Sequence, residues 1–174
     1  NKFKLKNIII VTSSAITKNN EELAYCIQKD LPIKHRSEIL SLIMNLYKSI
    51  GVAGSHGKTS TSTFISTLLD LCTNNSSAII GGILPLYDSN SHIKNNKYLV
   101  VEIDESDGSN KKYKPELGII TNIDYDHCDY YSNLEELIES FKCFALNSKK
   151  LLINYECKIS KNKFNKDCYA WSIK

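Results

Sequence analysis

The 174-residue sequence predicts an α/β fold: a mainly parallel sheet with helices on both faces and a phosphate-binding loop. Three observations carry that expectation. Short β-branched runs alternate with stretches of helical periodicity. The strand-like runs are continuously apolar, as in strands covered on both faces. A glycine-rich turn ending in Gly57-Lys58-Thr59 separates one such strand from the helix after it.

Taken in order, Ile8–Val11 reads as a buried strand and Glu21–Lys29 as a short helix capped by Asn19 or Asn20. Leu31–Lys34 contains Pro32 and reads as a brief edge or parallel strand. Ser37 is placed to cap a helix burying Ile39, Leu40, Leu42, Ile43 and Leu46. Lys48–Ser49 reads as a junction, with a domain boundary after Ser49. The pattern restarts with strand Ile50–Ala53, the glycine turn, and a helix through Thr59–Leu71 whose apolar face is Phe64, Ile65, Leu68, Leu69 and Cys72. Strands follow at Ala78–Ile80, Tyr98–Ile103, Leu117–Thr121 and Lys150–Asn154, with Asp88–Asn96 a polar loop. Ser132-Asn133-Leu134-Glu135 reads as a capping box for a helix burying Leu134, Leu137, Ile138, Phe141 and Ala145. Tyr169-Ala170-Trp171-Ser172 reads as a closing strand.

Composition narrows the function. With 42% apolar and 24% charged residues the chain is ordinarily globular. Its formal charge is only +3, its lysines are scattered, and Arg36 is the sole arginine. That is no basic stripe for nucleic acid. The apolar runs are too short to span a bilayer. Six cysteines without a C-x-x-C pair read as reduced small hydrophobes. The chain starts at Asn1 and opens almost directly on a strand, the pattern of a processed chain or a fragment.

Three polar segments carry chemistry, each directly after a predicted strand. In Gly54-Ser55-His56-Gly57-Lys58-Thr59-Ser60, glycines let successive N–H groups turn toward phosphate oxygens at a helix N-terminus. Lys58 suits β/γ-phosphate oxygens and the Thr59 hydroxyl suits Mg²⁺. The strict G-x-x-x-x-G-K-[ST] pattern wants glycine where Val52 stands. Glu102-Ile103-Asp104-Glu105-Ser106-Asp107-Gly108 brings four carboxylates to a strand's C-terminal end, where open sheets bind ligands and where acidic oxygens hold hard cations. In Thr121-Asn122-Ile123-Asp124-Tyr125-Asp126-His127-Cys128-Asp129, His127 is a candidate metal ligand oriented by its acidic neighbours.

Together these three strings resemble the Mur ligases of peptidoglycan synthesis, over roughly residues 7–145. The Ser55-His56 spelling, the Asp104-Glu105-Ser106-Asp107 string, Ile80-Gly81-Gly82 and Val11-Thr12-Ser13-Ser14-Ala15-Ile16 resemble most the member that joins L-alanine to UDP-N-acetylmuramate. The resemblance implies a cytoplasmic ATP-dependent acid–amino-acid ligase acting through an acyl phosphate. It implies catalytic roles for Lys58, Glu102 and His127. Gly54, Ser55, His56, Gly57, Lys58, Thr59 and Ser60 would hold ATP. Thr59, Glu102 and His127 would ligate Mg²⁺, with Lys142 as a carbamylated metal bridge. Thr121 and Asn122 would line the substrate side.

The resemblance also implies that residues 1–49 end a Rossmann-like UDP-binding domain, that 50–174 form the central ATPase domain, and that the C-terminal domain lies outside the chain. Pro85-Leu86-Tyr87-Asp88, Ser109-Asn110 and Cys128 depart from the family's usual spelling. Two other readings are a ligase that recycles murein tripeptide and a truncated nucleotide-binding remnant.

Overall fold

The computed structural model describes residues 8–73, 76–94, 97–125, 130–164 and 168–172. The chain divides into two compact units, Asn1–Ile43 and Met44–Lys174, ahead of the boundary expected after Ser49.

In the first unit, β1 (Ile10–Thr12) and β2 (Ile33–His35) form a two-stranded parallel sheet. The strand expected to be covered on both faces is only half-covered, with Val11 exposed. Helix α1 (Glu21–Gln28) is capped by Asn20, whose Oδ1 accepts from the Leu23 N–H at 2.9 Å. Helix α2 spans Arg36–Met44. Ser37 lies inside its first turn and is buried, so it is not the expected cap. The preceding residue caps it instead: His35 Nδ1 accepts from the Ser37 N–H at 3.3 Å, while Glu38 accepts from the His35 N–H at 2.9 Å.

The second unit is a seven-stranded sheet in the order β5-β4-β6-β3-β7-β8-β9. Its strands are β3 (Lys48–Ala53), β4 (Ser76–Leu84), β5 (Ser89–His92), β6 (Tyr98–Glu102), β7 (Leu117–Ile120), β8 (Lys150–Asn154) and β9 (Tyr169–Trp171). Two expectations are corrected here. Lys48–Ser49 is the start of β3, paired with Tyr98 and Leu99, and not a junction. Part of the expected loop Asp88–Asn96 is β5, antiparallel to β4. Its polar residues have little strand propensity, so pairing forms it. The His92 ring adds to this by stacking on Tyr87, with centroids 3.6 Å apart.

Helix α3 (Lys58–Thr73) links β3 to β4, α4 (Leu134–Asn147) links β7 to β8, and α5 (Lys158–Lys163) precedes β9. The first two crossovers run in opposite directions from the sheet centre. Right-handed connection then puts α3 and α4 on opposite faces. The core holds Val52, Leu99, Val101, Ile103 and Ile120 from the sheet, with Leu137, Phe141 and Phe144 from α4.

The buried face of α3 is not the expected one. Phe64, Leu68 and Cys72 are exposed, and Ser62, Ser66 and Asp70 meet the sheet. Serine can be buried here because Ser62 Oγ donates to the Lys58 carbonyl one turn back at 2.7 Å. On α4 the cap is shifted by one residue: Asn133, not Ser132, accepts from the Glu136 N–H, and Glu136 accepts from the Ser132 N–H. Among the described residues no helix is long and apolar enough to cross a membrane.

Candidate functional site

Strands β6, β3 and β7 are consecutive neighbours in the sheet and all parallel. Their C-terminal ends therefore lie side by side, and the three polar segments emerge together. This is the crevice position at which open α/β sheets bind ligands.

The loop after β3 is held from β7. Thr121 Oγ1 donates to the His56 carbonyl at 2.7 Å, and the Asn122 side chain accepts from the His56 N–H and donates to its carbonyl, both at 2.9 Å. Ser55 adds a third tie, with its N–H on the Asn122 carbonyl at 3.1 Å and its Oγ on the Asp124 backbone. So close an approach requires glycine at 54. Its φ is +140°, and a Cβ there would fall 2.0 Å from Thr121 Oγ1. The side chains of Thr121 and Asn122, expected along the substrate side, are thus engaged with the phosphate loop. Gly57, with φ +78°, ends the loop, and α3 begins at Lys58. The His56 ring is exposed, with Nε2 3.9 Å from Asp124 Oδ2.

At the end of β6, Glu102 bridges α3 and the neighbouring strand β4. Its Oε1 accepts from Thr59 Oγ1 at 3.0 Å, and its Oε2 accepts from the Gly81 N–H of β4 at 2.7 Å. Gly82 belongs to the same packing, since a Cβ there would lie 2.7 Å from Thr59 Cγ2. A carboxylate and a hydroxyl side by side at a phosphate-type loop are the hard oxygen donors of a Mg²⁺ shared with phosphates. Among the described residues no three His, Cys, Asp or Glu side chains gather to hold a metal by themselves. The Lys58 ammonium points back to Glu105 Oε1 at 2.9 Å and to the Gly54 and Ser55 carbonyls at 2.7 and 3.3 Å.

His127, the expected second metal ligand, lies outside the described residues. Lys142 on α4 pairs with Glu139 one turn back. That hydrogen bond raises its pKa and favours the ammonium, whereas carbamylation needs the neutral amine. Sequence reasoning did not single out Glu105, nor the backbone N–H of Gly81. The glycine pair at 81–82 was the available signal for the latter, since it marks a close backbone approach.

The fold and this site define an α/β protein with a glycine-rich strand–turn–helix loop at the C-terminal edge of its parallel strands. The profile of the Mur ligase middle domain matches residues 52–173, and that of the Mur ligase family catalytic domain matches residues 2–48. The chain belongs to the Mur ligase family. It is 62% identical over 173 residues to the UDP-N-acetylmuramate–L-alanine ligase of Prochlorococcus marinus subsp. pastoris, covering 99% of this chain and 36% of that protein. It thus spans about a third of the length of the curated relatives it matches. Among solved structures, the UDP-N-acetylmuramate–alanine ligase of Thermotoga maritima superposes with a TM-score of 0.85 at 22% identity, over 95% of this chain and 39% of that one. The MurF ligase of the same organism, solved in complex with ADP, gives 0.63 at 16% identity, over 97% and 48%. These two likenesses bear on the fold.

Proposed function

We propose that the chain is the nucleotide-binding portion of a cytoplasmic UDP-N-acetylmuramate–L-alanine ligase. In this reading residues 1–49 close the UDP-binding domain and 50–174 form the central ATPase domain. The observation that carries it is the placement of Lys58, Thr59 and Glu102 at the adjoining ends of β3 and β6, on a loop braced from β7. The identity to the curated ligase, and the ADP in the MurF relative, support the nucleotide and the substrate class.

The muramate carboxylate attacks the γ-phosphorus of ATP, forming an acyl phosphate and releasing ADP. The alanine amine then attacks the acyl carbon, loses a proton and expels phosphate. Loop N–H groups and Lys58 bind the β/γ oxygens and stabilise the charge that develops there. Thr59 and Glu102 would hold Mg²⁺, which neutralises phosphoryl charge when bound. His127 is proposed as a further ligand. The Gly81 N–H keeps the Glu102 carboxylate turned toward Thr59.

Calorimetry with ATP tests the reading. Mg²⁺ is expected to tighten ATP binding at least tenfold, about 1.4 kcal/mol. Glu102→Gln is expected to remove that increment while the circular dichroism stays that of the unaltered chain. A folded chain that binds no nucleotide refutes the proposal.

A further inference from the structure

Lys58 has three ammonium protons, and three acceptors take them. They are the Gly54 carbonyl at 2.7 Å, Glu105 Oε1 at 2.9 Å and the Ser55 carbonyl at 3.3 Å. A phosphate oxygen must displace one of the three. Glu105 has no exposed surface, so losing Lys58 would strand a buried carboxylate. The Gly54 carbonyl makes the shortest bond. The Ser55 bond is the longest, and a loop carbonyl is cheaper to leave than a buried charge.

Glu105 is itself held firmly. Its carbonyl accepts from the Tyr131 hydroxyl at 2.7 Å and from the Gly108 N–H at 2.9 Å. Tyr131 Oη lies 3.0 Å from Ser140 Oγ, which reaches Asn110 Oδ1 at 2.7 Å. Tyr131, Ser140 and Asn110 are fully buried like Glu105. The Glu105 backbone therefore stands on a buried polar network that ties the segment after β6 to α4.

We infer that Glu105 is the positioning residue of the phosphate-loop lysine. It and the Gly54 carbonyl fix the ammonium from below, and the proton now on the Ser55 carbonyl is the one given to nucleotide phosphate. Glu105 remains on Lys58 while nucleotide is bound. The inference rests on the phosphate-loop reading above and adds to it where the lysine's aim comes from.

The experiment is calorimetry of Mg–ATP with Lys58→Ala, Glu105→Ala and Glu105→Gln, together with a crystal structure of the unaltered chain with Mg–ADP. Lys58→Ala tests the underlying reading, which fails if affinity survives in a folded variant. With that loss established, Glu105→Ala is expected to weaken ATP binding tenfold or more. Glu105→Gln, which keeps an acceptor at the same reach, is expected to recover most of that loss. A purely electrostatic Glu105 predicts the opposite: either neutral residue should tighten anion binding. A purely structural role predicts losses that follow the melting temperature, with no selective recovery by glutamine. Either result overturns the inference. If Glu105→Ala does not fold, the Mg–ADP structure decides. Lys58 Nζ on Glu105 and off the Ser55 carbonyl upholds the inference, and Lys58 released from Glu105 ends it.

Discussion

Asp70, at the inner side of α3, offers a quantitative test of how the helix behind the phosphate loop is anchored. Its carboxylate accepts from Lys94 Nζ at 2.6 Å, from the Tyr87 hydroxyl, and from the Ser76 N–H at 3.3 Å. The Lys94 hydrogen bond leads in holding its pKa down to about 2 from 3.8, followed by that of Tyr87. A depressed carboxylate adds stability that is complete above its unfolded pKa and is lost as pH falls through the folded one. The fall of nearly two units corresponds to about 2 kcal/mol, at ~1.36 kcal/mol per unit. Asp70→Asn keeps the shape and removes the charge. In urea unfolding at pH 7 the variant is expected to be less stable by about 2 kcal/mol. The gap should hold down to about pH 4 and close between 4 and 2, where Asp70 itself takes up a proton. A gap that stays constant from pH 7 to 2 would show that the ionised pairing is not what anchors the helix.

Three further variants probe the loop and the buried network. Gly54→Ala places a Cβ against Thr121 Oγ1 at a φ of +140° and is expected to cost about 1–3 kcal/mol in urea unfolding. ATP binding measured by calorimetry should fall with it, and Gly57→Ala, with open space at its Cβ, should cost less. The Tyr131 phenol is pushed up to about 12, chiefly by burial. The raised pKa gives stability present below pH 10 and lost as pH rises toward 12. Unfolding curves across that range should show the alkaline loss in the unaltered chain, and Tyr131→Phe should lack that component.

The sheet and the glycine-rich turn between β3 and α3 were legible because they rest on local signals. Ile50–Ala53 and Tyr98–Ile103 are apolar runs, and the glycines and Lys58-Thr59 stand in the strand–turn–helix context that phosphate binding needs. Convergence of the three polar segments was also legible, because each follows a strand and parallel strands align their ends. The buried face of α3 was not. Apolar periodicity selects Phe64 and Leu68, whereas the sheet side is lined by serines that satisfy their hydroxyls within the structure, which hydropathy cannot register. Strand β5 was missed because Ser89-Asn90-Ser91-His92 forms a strand only by pairing with β4. Within the acidic string the sequence does not say which carboxylate turns inward. Alternation after β6 buries Ile103 and Glu105 and leaves Asp104 partly exposed, and that register depends on the pairing with β3.

The brace on the phosphate loop has a consequence in time. Thr121 and Asn122 reach His56 across 65 and 66 residues of chain. Ribosomes add about 5–20 residues per second, so roughly 3–13 s separate synthesis of the loop from synthesis of its support. Throughout that interval β3 has no β7 beside it, and one edge of the future sheet centre stands open for pairing with another chain. The nascent chain therefore passes through a window of edge exposure that closes only when β7 docks on β3.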